Sequence, residues 1–263
     1  MLELCNITKK FHAGTSDEKI ALDNVSLTLN DGDFVTVIGG NGAGKSTMQN
    51  IISGVYAPDG GKILLDGTDI THLPEYKRAK YLGRVFQDPM MGTAADMQIE
   101  ENLALASRRG KKRTLRPGIT AAERDSFREK LAELGLGLEN RMKQKVGLLS
   151  GGQRQALTLL MASLQQPKLL LLDEHTAALD PKTAATVLSI TDRIIKENSL
   201  TALMITHNMR DAIAYGNRLI MLNEGKILID VSGEEKQSLT VEKLLEMFTI
   251  ASGSQFANDR AIL

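Results

Sequence analysis

Gly39-Gly40-Asn41-Gly42-Ala43-Gly44-Lys45-Ser46 follows the apolar run Phe34-Val35-Thr36-Val37-Ile38 and opens into a stretch of helical composition from Thr47. The spacing G-x-x-x-x-G-K-S, set after a strand and before a helix, is the Walker A pattern of phosphate-binding loops. Glycines let consecutive backbone N–H groups turn toward an anion with no Cβ in the way. The helix that follows adds the positive end of its dipole. Lys45 is then placed to reach the β and γ phosphates of a nucleoside triphosphate such as ATP, and the Ser46 hydroxyl to enter the shell of a Mg²⁺ ion. Gly39, Asn41, Gly42, Ala43, Gly44, Lys45, Ser46 and Thr47 form the expected nucleotide-binding set of this segment. An ordinary glycine-rich turn would not need Lys and Ser at those two offsets.

Such a loop calls for an acid at the end of another buried strand, and Leu169-Leu170-Leu171-Leu172-Asp173-Glu174 supplies two. An apolar run ending in two carboxylates makes little sense as packing. At the C-terminal end of a strand, where open α/β sheets bind ligands, it reads as one metal-shell group, Asp173, and one group that acts on water, Glu174.

Outward from these motifs, residues 1–38 hold apolar segments in alternation, and 62–66 lies between Asp59-Gly60-Gly61 and Gly67, so both read as strands. Residues 168–173, 201–206 and 219–222 are short apolar runs separated by helix-like stretches, which predicts a mainly parallel sheet built from βα units. Segments 100–105, 121–134 and 152–165 have helical composition. The expected organisation is a nucleotide-binding core over 1–89 and 161–230 with an N-terminal antiparallel β subdomain. A helical subdomain is inserted over 90–160, and a short tail over 231–263 carries a helix at 241–248. The dense basic run from Arg108 to Arg116 has no aromatics and is broken by Gly110, so it reads as a solvated loop and is assigned no function.

The chain has 263 residues with 32 basic and 32 acidic side chains, so no overall field draws it to nucleic acid or anionic lipid. One cysteine, Cys5, excludes an internal disulfide framework and fits a reducing compartment. The N-terminus lacks the basic start and apolar middle of an export signal, and no run approaches the roughly 18 apolar residues that span a bilayer. A membrane role would need another chain to supply the membrane part.

Leu149-Ser150-Gly151-Gly152-Gln153 precedes Asp173 by about twenty residues, at the start of a helical stretch. It resembles the signature motif of the ATP-binding cassette (ABC) ATPases, and it repeats the phosphate-loop device in miniature, with a hydroxyl and small backbone at a helix start. Further elements match that family in order over about the first 225 residues. Phe11 matches the aromatic that stacks on adenine, a core phenylalanine being the competing reading. Gln87 matches the glutamine that touches Mg²⁺ and the attacking water, Asp180 the D-loop acid, and His207 the switch histidine.

The resemblance implies a P-loop NTPase (RecA-like) fold and ATP hydrolysis with Mg²⁺. Glu174, His207 and Gln87 would be the catalytic groups, and Ser46, Gln87 and Asp173 would be the metal shell. It implies a head-to-tail dimer in which Ser150, Gly151, Gly152 and Gln153 of one subunit close on nucleotide held by the other. It also implies transmembrane permease subunits, an extracytoplasmic substrate-binding protein reached through them, and a place on the cytoplasmic face of the membrane. Two departures stand out. His175 occupies the usual proline position, and 155–162 lacks the family's arginines. The segment 173–180 is similar to a branch of bacterial importers of amino acids, aromatic ones included. The other class, a soluble ABC ATPase of ribosomes or DNA repair, usually has two cassettes or a long coiled-coil insertion.

Overall fold

The computed structural model describes residues 1–111 and 118–252. Most of the basic run, 112–116, lies outside them. In chain order the elements are β1 (Leu2–Phe11), β2 (Lys19–Leu29), β3 (Phe34–Ile38), α1 (Lys45–Ser53), β4 (Gly60–Leu65), β5 (Thr68–Asp69), α2 (Glu75–Arg78), β6 (Leu82–Val85), α3 (Ile99–Ser107) and α4 (Ala121–Glu133). There follow α5 (Gly151–Ser163), β7 (Leu169–Asp173), α6 (Pro181–Glu197), β8 (Ala202–Ile205), α7 (Met209–Ala214), β9 (Arg218–Asn223), β10 (Lys226–Ser232), α8 (Gly233–Gln237) and α9 (Val241–Ser252). They fall into two compact units, one of Met1–Arg78 with the described residues from Thr201 on, the other Ala79–Leu200.

The first unit holds the antiparallel sheet β2-β1-β4-β5 and a strand set in the order β10-β9-β3-β8. β3 lies parallel to both β8 and β9. Every residue of β3 and β8 is buried, as strands covered on both faces require, and that explains their apolar sequences, broken only by Thr36, whose hydroxyl donates to the Ala212 carbonyl. β2 instead alternates buried and exposed from Val25 to Leu29, the pattern of a sheet with one wet face. β9 and β10 are joined by two residues, Glu224 and Gly225, both with positive φ (47° and 77°), which is the twist that a tight hairpin needs. Leu244 of α9 joins a buried cluster with Met209, Ala212, Ile229, Val231 and Leu239. Buried Lys236 donates to the carbonyls of Ile213, Tyr215 and Gly216 at the end of α7, and its burial pulls the ammonium pKa down to about 8.

In the second unit β6 and β7 run parallel, Leu82 opposite Leu169 through Val85 opposite Leu172. Leu169–Leu172 are wholly buried. The first arginines of the basic run are built into this unit. Arg108 bonds the Ala104 carbonyl at the end of α3 and pairs with Glu123 in the first turn of α4, while Arg109 donates to the Ala162 carbonyl in the last turn of α5. The elements bear out the α/β class, with a mainly parallel strand set and an N-terminal antiparallel sheet.

Candidate nucleotide site

In the first unit the phosphate loop leaves the carboxyl end of β3 and His207 leaves that of β8, the parallel neighbour in which Ile205 lies opposite Val37. Two loop glycines are forced by close approach. At Gly39 (φ 149°) a Cβ would lie 2.2 Å from the Leu222 carbonyl oxygen, and at Gly44 (φ 106°) 2.5 Å from that of Ala21. The Gly225 N–H donates to the Ala43 carbonyl at 3.0 Å and ties the buried underside of the loop to the β9–β10 hairpin. Gly44 caps α1 without a side-chain bond, and the first turn carries no acid, so the helix itself places no anion at its positive end. Lys45 is buried, its Nζ donating to the Gly39 carbonyl at 2.6 Å and the Gly40 carbonyl at 3.1 Å. Asn41, Gly42 and Ser46 are exposed and Thr47 half-buried.

His207 is half-buried and sits between fixed points. Thr206 N–H donates to Val37 at 3.1 Å, and the Asn208 side chain caps α7 by accepting from the Arg210 and Asp211 N–H groups. Phe11 ends β1 half-buried, edge-on to Tyr56 with ring centroids 5.4 Å apart.

The second unit brings Gln87 to the same sheet end as Asp173 and Glu174. Gln87 stands two residues past Val85, and Glu174 two past its partner Leu172. Gln87 is exposed, while Asp173 and Glu174 are half-buried. Glu174 has φ 43°, a left-handed conformation uncommon outside glycine and frequent at functional sites. His175 is fully buried behind it and bonded through Nε2 to the Thr191 hydroxyl at 3.0 Å. Thr191 Oγ1 already donates to the Val187 carbonyl, so Nε2 carries the proton.

Burial holds the His175 pKa down at about 4. An unfolded histidine takes its proton near pH 6.5, so between pH 6.5 and about 4 the unfolded chain binds more protons and stability falls as pH falls. Urea unfolding should show a loss on the order of 2 kcal/mol from pH 6.5 to 5, absent in His175→Gln.

Ser150 caps α5. Its Oγ accepts from the Gln153 N–H at 3.3 Å while the Gln153 side chain accepts from the Ser150 N–H at 3.2 Å, a reciprocal box that leaves the hydroxyl hydrogen to donate elsewhere. Asp180 caps α6, and hydrogen bonds from the Thr183 side chain and then its N–H hold the carboxyl below the usual range.

Two positions carry roles that the sequence reading did not assign. Gly151 is exposed, but Gly152 is buried, and a Cβ there would lie 2.2 Å from Thr183 Cγ2 on α6. Gly152 therefore sets the α5–α6 approach as well as the loop backbone. Gly152→Ala should lower the melting temperature by several degrees, with recovery in Gly152→Ala/Thr183→Ala measured by thermal unfolding. Wholly buried Gln155 donates from Nε2 to the Phe86 carbonyl at 3.1 Å and so fixes the backbone beside Gln87. The missing arginine pattern hid this role.

The fold and these motifs define a P-loop ATPase. A sequence profile described as ABC transporter matches residues 22–177, more than half of the chain. The chain belongs to the ABC transporter family of ATP-binding proteins. It is 47% identical over 251 residues to the tyrosine transport ATP-binding protein of Clostridioides difficile, covering 95% of this chain and 100% of that one. It is 35% identical over 232 residues to the methionine import ATP-binding protein MetN of Corynebacterium efficiens, covering 86% of this chain and 61% of that longer one. Among solved structures, an ATP-binding cassette seen as a dimer in a post-hydrolysis state with ADP and Pi is 29% identical, covers 88% of this chain and 98% of its own, and superposes with a TM-score of 0.74. This chain binds and hydrolyses ATP, as such cassettes do.

Proposed function

We propose that this chain is the ATP-hydrolysing subunit of a bacterial importer of amino acids, tyrosine or a related aromatic one. The observation that carries the cargo is the match to the tyrosine transport relative along that protein's whole length. In this reading the ATP phosphates lie on Gly39, Asn41, Gly42, Ala43, Gly44, Lys45, Ser46 and Thr47, with Phe11 against the base. Gln87, Glu174 and His207 act on the attacking water.

The donors proposed for Mg²⁺ are the Ser46 hydroxyl, the Asp173 carboxylate and the Gln87 amide oxygen, hard oxygen ligands that suit this ion. Among the described residues there is no group of three or more His, Cys, Asp or Glu that could hold a metal ion. When bound, Mg²⁺ would neutralise charge that builds on the phosphates. No helix among the described residues is long and apolar enough to cross a membrane. A permease and an extracytoplasmic binding protein would complete the system, with this chain paired on the cytoplasmic face. The core over 1–89 and 161–230, the inserted lobe over 90–160 and the tail over 231–263 remain part of the reading.

Reconstituting the chain with a permease and a binding protein of such an importer tests the cargo. Tyrosine-loaded binding protein should stimulate phosphate release several-fold and drive tyrosine into the vesicles, and equal stimulation by glutamate would overturn the assignment. Pairing has its own test at the signature loop. Ser150→Arg should leave ATP binding to the monomer unchanged by calorimetry while phosphate release is lost, because the added side chain blocks closure over the partner's nucleotide.

A further inference from the structure

β2 begins at Lys19, opposite Phe11 at the end of β1. The neighbouring lysines are neutralised. Lys9 pairs with Asp59 at 2.9 Å, Lys10 with Glu18 at 3.2 Å, and Lys226 with Asp23 at 3.1 Å. Glu18 is doubly engaged, since it also accepts the Gly14 N–H at 2.8 Å, and that bond followed by Lys10 holds its carboxyl below the usual range.

Lys19 differs. Among the described residues its ammonium makes no hydrogen bond or ion pair, and its Nζ lies 3.1 Å from the point that a Cβ on Gly42 would occupy. Gly42, exposed and in a left-handed turn (φ 80°), is the middle of the phosphate loop. That loop already carries Lys45 and the positive end of α1, so a further cation beside it meets repulsion that a bound polyanion relieves.

We propose that Lys19 is a second phosphate-binding cation of the nucleotide site. The proposal rests on the reading of 39–46 as the ATP loop. Lys45 emerges at the start of α1 and serves the terminal phosphates, whereas Lys19 is tied by strand register to Phe11, the side of the proposed base platform. Lys19 therefore serves the phosphates nearer the nucleoside, which ATP and ADP share. A group that binds these phosphates also retains the product ADP after hydrolysis.

Calorimetry with ATP and with ADP, at low and high KCl, tests this on the full chain. Lys19→Gln should weaken both nucleotides by about 10-fold, the size of one partly exposed charge-assisted hydrogen bond. The dependence of affinity on KCl should become shallower, and Lys19→Arg should restore binding. The melting temperature without nucleotide should stay unchanged, because the residue is exposed and unpaired. Unchanged affinity for both nucleotides, or a loss confined to ATP, overturns the proposal. If Lys19→Gln binds normally while Lys45→Ala does not, only the Lys19 assignment falls; if both bind normally, the reading of the loop falls with it.

Discussion

Glu174→Gln should retain ATP binding and lose turnover by roughly 10²- to 10⁴-fold, the usual contribution of a general base. The substitution keeps the side-chain shape and removes a carboxylate from beside a triphosphate, so ground-state affinity is held or rises. The amide cannot accept a proton from water. The residue sits in a left-handed turn (φ 43°) between β7 and the buried bond of His175 to Thr191, and glutamine meets the same backbone demand, so geometry is preserved. ATP then persists and the closed pair accumulates. Size-exclusion chromatography with ATP and Mg²⁺ beside a phosphate-release assay reads both effects. Turnover near the parental rate would move the role elsewhere, and His207, at the carboxyl end of β8, is the next group.

What could be read from the sequence was local, and what could not be read was long-range. The phosphate loop, the acids ending β7 and the serine cap of α5 each declare their chemistry within eight residues. Their strands were legible because burial on both faces leaves largely apolar runs. The steric role of Gly152 was invisible because the colliding atom belongs to Thr183, 31 positions on and brought there by α5–α6 packing. His175 registered only as a departure from proline, since its hydroxyl partner lies a helix away. β10 is not legible in the sequence because its hairpin turns on Glu224-Gly225 rather than on the Asn-Gly or Asp-Gly that marks such turns. The partly buried Phe11 sits against Tyr56, a contact that serves a base platform and a core aromatic equally well.

Lys45→Ala should weaken ATP at least about 100-fold, because two charge-assisted bonds to phosphate are each worth roughly 1.5–3 kcal/mol. The structure adds a requirement to the measurement. The Lys45 ammonium is buried and donates to the Gly39 and Gly40 carbonyls, so it also ties the loop's first turn in the absence of nucleotide. Removing it leaves those carbonyls without that donor, and part of any lost affinity could come from a relaxed loop. Adenosine and ATP separate the two effects. If the lysine acts on phosphate, Lys45→Ala loses ATP while its affinity for adenosine, held by the base platform alone, is unchanged. If the loop itself has collapsed, the melting temperature without nucleotide falls as well. Lys45→Arg gives no rescue, because a planar guanidinium cannot take the place of a compact ammonium under the loop. ATP affinity in Lys45→Ala equal to the parent's, with Mg²⁺ present, would remove the loop from the site.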